Sequence, residues 1–504
     1  MVHLREGMLR RADHAWSSPG VAPARLRTAW CAFVVLCTSA CSSNAPTRDA
    51  WLVEQLYRDN LVWLQRDPAL LAGKYAKMAA DPYDYMRGTS AIFFRDLERA
   101  GTPRGEPLPI KIPEAHEVLL VGDPHPENIG AYLPTSLLAQ PTQGLRLEFN
   151  DLDAAGHGPY TWDLRRGAAG LAVLLSPSDV CPPASCSRAV LEAYAEAYLN
   201  EITALATGAL PQEPVLSPTL DDVSQALLTR ARAEGQQTLR LIEETNLLTV
   251  GDPTFALTDG LNATGNGLLP LTPEEARVAI KLLEQLATQD AGPRSESSWT
   301  VHDVARRFGQ GVSSFPALRY VVLWSYTDDP DNMGLFQLRE VVDPTPIPGS
   351  RGGIEGVFAT QGQRIVDASR RLWAADDADP WLSSVEDGPR TFKVTAWDSY
   401  YQGFNHEDIL QDLEDKRFET DDLVAWGRTL GALLAGSHAR GGTFDGGSSL
   451  EAIAADLDPV MVERIVDNAQ DDAEQILADY QTFLDALQEL GPLLESDQVT
   501  GGVL

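Results

Sequence analysis

Two short stretches hold the side chains best suited to chemistry. The first, EVLLVGDPHPENIG at 117–130, ends an apolar run in Asp123, His125 and Asn128. The second, LRLEFNDLDA at 145–154, ends another in Asn150, Asp151 and Asp153. Apolar runs of this length, bounded by Gly, Pro and Asp, read as buried strands. Side chains just past such strands stand at a sheet edge, where active sites are commonly built. Phosphoryl transfer with magnesium needs such a set: one Asp to orient an attacking hydroxyl, and an Asn and an Asp to hold metal on the phosphates. Carboxylate and amide oxygens are the hard ligands magnesium prefers. On this reading Asp123 orients the hydroxyl and His125 buttresses the loop. Asn128 and Asp151 hold metal, and Asp153 assists behind them or at a second metal. The alternative is a pair of ordinary turns, because Asp, Asn, Pro and Gly build turns; that reading gives no reason for a second acidic strand end.

The elements that would position these groups are mostly helical. Residues 49–66 place Trp51, Gln55, Leu56, Leu61 and Leu64 at helical spacing. The segment 81–97 carries a core stripe through Met86, Phe93, Phe94 and Leu97, which leaves Arg87 without a packing role. Residues 162–175, 188–208, 220–246 and 272–290 read as amphipathic helices, with a Gly/Asn-rich loop around 259–267. Thr272 is the expected N-cap of the last helix and Pro273 its first position. The stretch AGPRSESS at 291–298 reads as a linker. Beyond it, ALRYVVLW and GLFQLREVV are strand-like runs joined by a turn around Asp328–Asn332. Ahead of them Gly309 and Gly311 precede Ser313 and Ser314. A Gly-rich turn lets backbone N–H groups approach phosphates closely; an ordinary hairpin with a Gly turn is the alternative.

Asp123 and Asn128 stand at the D-x-x-x-x-N spacing of a kinase catalytic loop, and Asp151 follows a strand as a kinase's metal-binding Asp does. GDPHPEN resembles the G-D-x-H-x-x-N loop of aminoglycoside and choline kinase-like phosphotransferases. NDLDAAGHGPYTWDL resembles their I-D-F-x-x-A…D-L segment. Over about residues 75–445 the chain resembles the bacterial family known as domain of unknown function 2252. The segments that carry the resemblance are DPYDYMRG at 81–88, GDPHPENIG at 122–130, NDLDA at 150–154 and GPYTWDLRRG at 158–167, then GQGVSS at 309–314, FQLRE at 336–340 and SHARGG at 437–442. The chain departs from the family at Arg339, where the family has Lys, and at the last Gly of G-x-G-S-x-G, near Phe315 and Pro316. The family's R-Q-L-R-D-M-K segment has only a loose echo in TFKVTAWDSYYQG at 391–403.

The resemblance implies that Gly309, Gly311 and Ser313 surround the phosphates of ATP or another donor, with Arg339 contacting phosphate. In ordinary kinases the Gly-rich hairpin precedes the catalytic loop; here it follows. The expectation is therefore a circularly permuted kinase-like fold. Permutation is tolerated where the original termini lie close together. Residues 427–442 would then form a helix leading toward the catalytic loop, with His438 as a buried, hydrogen-bonded residue.

Composition frames the rest. A net charge of −32 over 504 residues argues against a nucleic-acid partner and against adsorption to anionic lipid. Hydrophobic content of 44% argues for sizeable buried cores rather than disorder. Near the N-terminus Arg25 and Arg27 precede the apolar run AWCAFVVLCTSA, which ends in Thr38-Ser39-Ala40-Cys41. The run is short for a permanent span and fits an export signal with a lipoprotein-like cleavage box at Cys41. A buried hydrophobic helix is the alternative. Of the five Cys, cleavage there leaves Cys181 and Cys186 in the folded part, close enough to pair in an oxidising compartment. Two free thiols or a weak metal site are the alternatives.

The fold class expected is α/β (α+β), two-lobed and kinase-like. Residues 1–40 form a signal peptide and 41–50 a linker. Residues 51–295 form a large lobe with the acidic motifs, 299–400 a small β-rich lobe, and 401–504 a helical segment completing the large lobe. The function expected is a magnesium- or manganese-dependent phosphotransferase acting on a small hydroxyl compound or envelope component. It would be exported and lipid-anchored to the cell envelope, periplasmic or at the cell surface. The alternatives are a pseudoenzyme that binds a ligand or partner in the same cleft, and a metal-dependent hydrolase using the same acidic cluster.

Overall fold

The structure, a computed structural model, describes residues 3–4, 47–98, 117–137, 144–177, 180–209, 221–235, 254–258, 267–289, 299–326, 333–341, 358, 360–375, 378–397, 400–442, 449–457 and 459–495. The fold is mixed α+β, mostly helical, with antiparallel sheets. Cys41, the expected turn at Asp328–Asn332 and the linker at 291–298 lie outside the described residues, as does the leader apart from His3–Leu4. Among the described residues no helix is long and apolar enough to cross a membrane.

Among the described residues from 47 to 98 lie four helices: α1 (Arg48–Arg66), α2 (Pro68–Met78), α3 (Pro82–Gly88) and α4 (Ser90–Glu98). Their starts follow local rules. The Thr47, Asp67 and Asp81 side chains accept N–H bonds from the first turns of α1, α2 and α3, and Pro68 and Pro82 sit at helix starts where a missing N–H does no harm. Next come α5 (Tyr160–Leu175), α6 (Arg188–Ala206) and α7 (Asp222–Gly235). Helices α8 (Pro273–Ala287) and α9 (Gln361–Leu372) accompany the larger sheet, and α10 (His406–Glu414), α11 (Thr420–Gly441), α12 (Ser449–Asp456) and α13 (Pro459–Leu490) follow it. Helix α5 is buried almost all round, which marks it as the centre of the main core. Gly431 of α11 lets the helix run against α6: a Cβ there would lie 2.1 Å from the Tyr194 carbonyl oxygen. A disulfide joins Cys181 and Cys186 just ahead of α6.

Among the described residues the strands form three sheets. The largest sets β7 (Trp299–Phe308), β8 (Arg319–Tyr326), β9 (Met333–Val341), β11 (Arg390–Ala396) and β10 (Ser383–Asp387) side by side, with every neighbour antiparallel. The short strands β1 (His3–Leu4) and β6 (Gly267–Leu269) pair along the free edge of β7. Alternation decides its two faces. Tyr320, Val322 and Trp324 of β8, Phe336 and Leu338 of β9, and Phe392 and Val394 of β11 pack with helix α8 (Pro273–Ala287) in a second core. Arg319, Arg339 and Lys393 project from the opposite face. Helix α8 carries a capping box at Thr272 and Glu275. Helix α8 and β6, placed by the sequence in the segment before 295, thus pack with the sheet that follows it. Helix α9 (Gln361–Leu372) runs between β9 and β10 in sequence. The expected helix 220–246 is described as 222–235.

The two apolar runs of the acidic motifs are strands, but of different small sheets. Strand β2 (Glu117–Leu120) pairs with β5 (Gly156–Pro159), whereas β4 (Arg146–Phe149) pairs with β3 (Ile129–Tyr132), whose other neighbour is β12 (Gln402–Gly403).

Candidate functional site

The two acidic loops meet back to back. Gly122 has φ +88, and a Cβ on it would lie 2.1 Å from the Ala154 carbonyl oxygen, so only glycine permits the approach. The N–H groups of Val121 and Gly122 donate to the Asp163 carboxylate at 2.6 and 2.9 Å. His438 Nε2 lies 3.0 Å from the same carboxylate, and Tyr198 hydroxyl lies 2.8 Å from His438 Nδ1. The buried triad Asp163, His438 and Tyr198 therefore anchors the first loop to α5, α11 and α6. His438 has the structural role the sequence assigned to it.

Asp123 follows at once. Arg166 Nε donates to Asp123 Oδ1 at 2.7 Å, and its Nη2 donates to the Met86 carbonyl at 2.9 Å. Burial raises the Asp123 carboxyl above its usual range, with Arg166 working against the rise. His125 is buried, its Nδ1 3.3 Å from the Tyr83 hydroxyl and its Nε2 3.7 Å from Asp123. Burial, with Arg87 and Arg166 nearby, holds the imidazole well below its ordinary pKa, so it stays neutral. Asn128 donates its amide N–H to the Asp123 carbonyl at 2.9 Å.

Asp151 and Asp153 stand across from Asp123 and are tied to the large sheet. Arg339 of β9 donates to both Asp151 oxygens, at 3.1 and 3.2 Å, and to Asp153 Oδ1. Burial would raise the Asp151 carboxyl, but Arg339 and Lys393 together hold it well below the carboxylate range. Burial, with Asp151 beside it, raises the Asp153 carboxyl. Fully buried Arg364 of α9 fixes the same loop through its backbone, donating to the Asp153 carbonyl at 2.6 Å and to the Ala155 carbonyl. Arg339 thus faces Asp151 from the sheet rather than pairing with a local acid; its neighbour Glu340 pairs with Arg66 instead.

The Gly-rich turn closes the third side. Gly309 and Gly311 both have positive φ, at 73 and 74. Ser313 hydroxyl donates to the Arg87 carbonyl at 2.6 Å, docking the turn on the end of α3. Arg87 itself pairs with Asp84 at 2.7 Å and Glu127 at 2.6 Å, which supplies the role that core packing left open. Ser314 hydroxyl accepts from Arg319 at 2.8 Å.

Two adjoining cavities open here and share Arg87, Asn128, Asp151, Gly311 and Ser314. One, about 200 Å³, is walled by Asp123, His125, Trp63, Phe94 and Lys74. The other, about 350 Å³, runs under the sheet past Arg339, Lys393, Arg319 and Arg307 to Trp397 and Tyr401. Among the described residues no three His, Cys, Asp or Glu groups cluster as a ready metal site. Asp151, Asp153 and Asn128 carry oxygens of the hard type magnesium takes, with both carboxylates engaged by Arg339.

Sequence reasoning placed Asp123, His125, Asn128, Asp151, Asp153, Gly309, Gly311, Ser313 and Arg339 around this cleft, and the structure brings all of them but Gly309 to the walls of the two cavities. It passed over Asp163, Arg166, Arg364, Lys393 and Arg319. Asp163 and Arg166 stood in the GPYTWDLRRG segment as charges on an otherwise buried helix. Buried charges are kept only with partners, and that was the available signal.

A family model described as uncharacterised protein conserved in bacteria, DUF2252, matches residues 66–486. The chain belongs to that family. No curated protein and no solved structure matches it.

Proposed function

We propose that this DUF2252 member is a magnesium-dependent phosphotransferase with a circularly permuted kinase-like architecture, acting on a small hydroxyl compound or an envelope component. The observation that carries the reading is the convergence of three segments distant in sequence. Asp123 and Asn128 come from the first acidic loop, Asp151 and Asp153 from the second, and Arg339 reaches them from the sheet. A kinase brings together the same functional parts: a base-like Asp, an Asn and an Asp for metal, a Gly-rich turn, and a strand cation. Chain order supports permutation. The Leu119 N–H donates to the Gly442 carbonyl at 3.2 Å, so the end of α11 abuts the strand that enters the first acidic loop. Read through space, the order becomes sheet, α10, α11, first loop, second loop.

In this reading the acceptor hydroxyl enters the smaller cavity and its oxygen attacks the terminal phosphorus of the donor. The bond from that phosphorus to the leaving phosphate breaks, and the hydroxyl proton passes to Asp123. Arg166 keeps Asp123 aimed, and neutral His125 supports the loop from behind. Magnesium held by Asp151, Asp153 and Asn128 would neutralise charge on the phosphates. Arg339, placed by the resemblance on phosphate, is engaged with the two carboxylates and positions them. That engagement also favours a second reading, a non-catalytic relative that binds a ligand in the same cleft.

The test is substitution of the two acids. Asp123→Asn should abolish most phosphoryl transfer and leave nucleotide-dependent thermal stabilisation in place. Asp151→Asn should weaken the magnesium-dependent part of that stabilisation. Transfer undiminished in both variants would remove the assignment. Magnesium-dependent binding without transfer to any hydroxyl acceptor would favour the non-catalytic reading.

A further inference from the structure

Four cations stand in register across the large sheet. Arg307 of β7 is opposite Arg319 of β8, Arg319 is opposite Arg339 of β9, and Arg339 is opposite Lys393 of β11. Directly opposed residues project from one face with Cβ atoms about 4.5–5.5 Å apart. The row crosses three interstrand gaps of about 4.8 Å, roughly 14 Å in all. All four residues line the larger cavity. The chain has only 40 Lys and Arg against 72 Asp and Glu, and like charges opposed across strands are destabilising. Such a row is the reverse of what composition and sheet pairing favour.

Its charge is only partly compensated. Arg339 is neutralised by Asp151 and Asp153. Among the described residues Arg319, 8% exposed, bonds neutral oxygens, the Gln310 carbonyl at 3.3 Å and the Ser314 hydroxyl at 2.8 Å. Arg307 lies over the Trp397 ring, 4.3 Å from its centroid. Lys393 is 3% exposed, lines the cavity, and makes no hydrogen bond or ion pair with any described residue. A buried ammonium with no hydrogen-bonding partner among the described residues, and only the nearby charges of Asp151, Asp153 and Asp379 to offset it, points to an anion that the cavity is built to receive.

At the far end of the cavity, which Tyr132, Gln337 and Trp373 also line, several groups that could read a nucleobase are already engaged. The Ala396 N–H donates to both Asp379 oxygens, at 3.0 and 3.1 Å, and the Trp397 N–H donates to the Leu335 carbonyl at 3.0 Å. The Trp397 ring is covered by Arg307. Two backbone donors and an aromatic face that could read a base are already engaged.

We infer that the row Arg307, Arg319, Arg339 and Lys393 binds a linear polyphosphate, and that the phosphate chain, not a nucleoside, carries the affinity. This deepens the phosphotransferase reading by naming the chemical class of the donor. Inorganic polyphosphate and nucleoside triphosphates share that chemistry.

The test is calorimetric titration of the purified protein with sodium tripolyphosphate, ATP and AMP. Tripolyphosphate and ATP should bind within about tenfold of one another, with AMP at least about 100-fold weaker. Lys393→Met should weaken tripolyphosphate by about 10- to 100-fold, the worth of one charge-assisted hydrogen bond. A thermal melt of the ligand-free variant checks that it stays folded. Arg307→Gln, at a half-buried site, provides a second probe and should weaken binding in the same direction. Absence of tripolyphosphate binding overturns the inference. So does ATP binding more than about 100-fold tighter than tripolyphosphate, or binding indifferent to both substitutions. If tripolyphosphate binds as expected but no hydroxyl is phosphorylated, the phosphotransferase reading fails and this inference stands. If transfer proceeds undisturbed by both substitutions, this inference fails and that reading stands.

Discussion

Asp163→Asn isolates the device that holds the first acidic loop. Asp163 is fully buried and nearly isosteric with Asn, so the change alters hydrogen bonding and charge without opening a cavity. One carboxylate oxygen accepts from Gly122 N–H at 2.9 Å, and the other from Val121 N–H at 2.6 Å with His438 Nε2 at 3.0 Å. An amide retains one oxygen, so its NH₂ must face a backbone N–H. The less disruptive orientation leaves Gly122 without an acceptor, at about 1–3 kcal/mol. The two bonds that remain pass from a charged to a neutral acceptor and lose about 1 kcal/mol each. The sum, about 3–5 kcal/mol, is a large share of the roughly 5–15 kcal/mol that typically holds a domain together. Guanidinium unfolding should register that loss. Hydrogen exchange should show lost protection concentrated in residues 117–128. His438→Gln shares an oxygen of the same carboxylate, so the double variant should cost less than the two single losses added. A variant within 0.5 kcal/mol of the parent (roughly the scatter of a neutral surface change), with unchanged exchange at Val121 and Gly122, would refute the anchoring role.

His406 is expected to make stability pH-dependent on the alkaline side. Burial opposes its charge, but Asp81 and Glu127 hold its pKa up at about 10, against about 6.5 in an unfolded chain. Its contribution, on the order of a few kcal/mol, is whole below about pH 6.5 and is lost as pH rises through about 10. His406→Gln should therefore differ most from the parent near pH 6, and a gap of constant size from pH 6 to 10 would contradict this. The Cys181–Cys186 bond closes a loop with a sequence separation of 5, and by loop entropy its reduction should cost about 2 kcal/mol; full alkylation of both thiols without a reductant would show the bond absent. We propose that Cys41 carries a lipid anchor: Cys41→Ser should then move the protein from membrane to soluble fractions, and a mature mass that retains residues 1–40 would rule the anchor out.

Much of the site was legible because it rests on local chemistry. The acids at 123, 151 and 153 announce themselves by ending apolar runs. Asn128 follows from its spacing, and Gly309 and Gly311 from a turn that needs positive φ. The helix start at Thr272 was written in its cap residue and the proline after it. The pairing of strands was a different matter. Nothing in the runs at 117–120 and 146–149 says that they join separate sheets, because pairing is settled between segments far apart in the chain. Arg339 was visible as a strand cation. That it neutralises Asp151 and Asp153 was not, and neither was the register that stacks it between Arg319 and Lys393. A sequence records which charges a chain carries and which lie one turn or one pleat apart. Only the packed structure decides which of them share a low-dielectric space, and there the distance between two groups, not their separation along the chain, sets the energy.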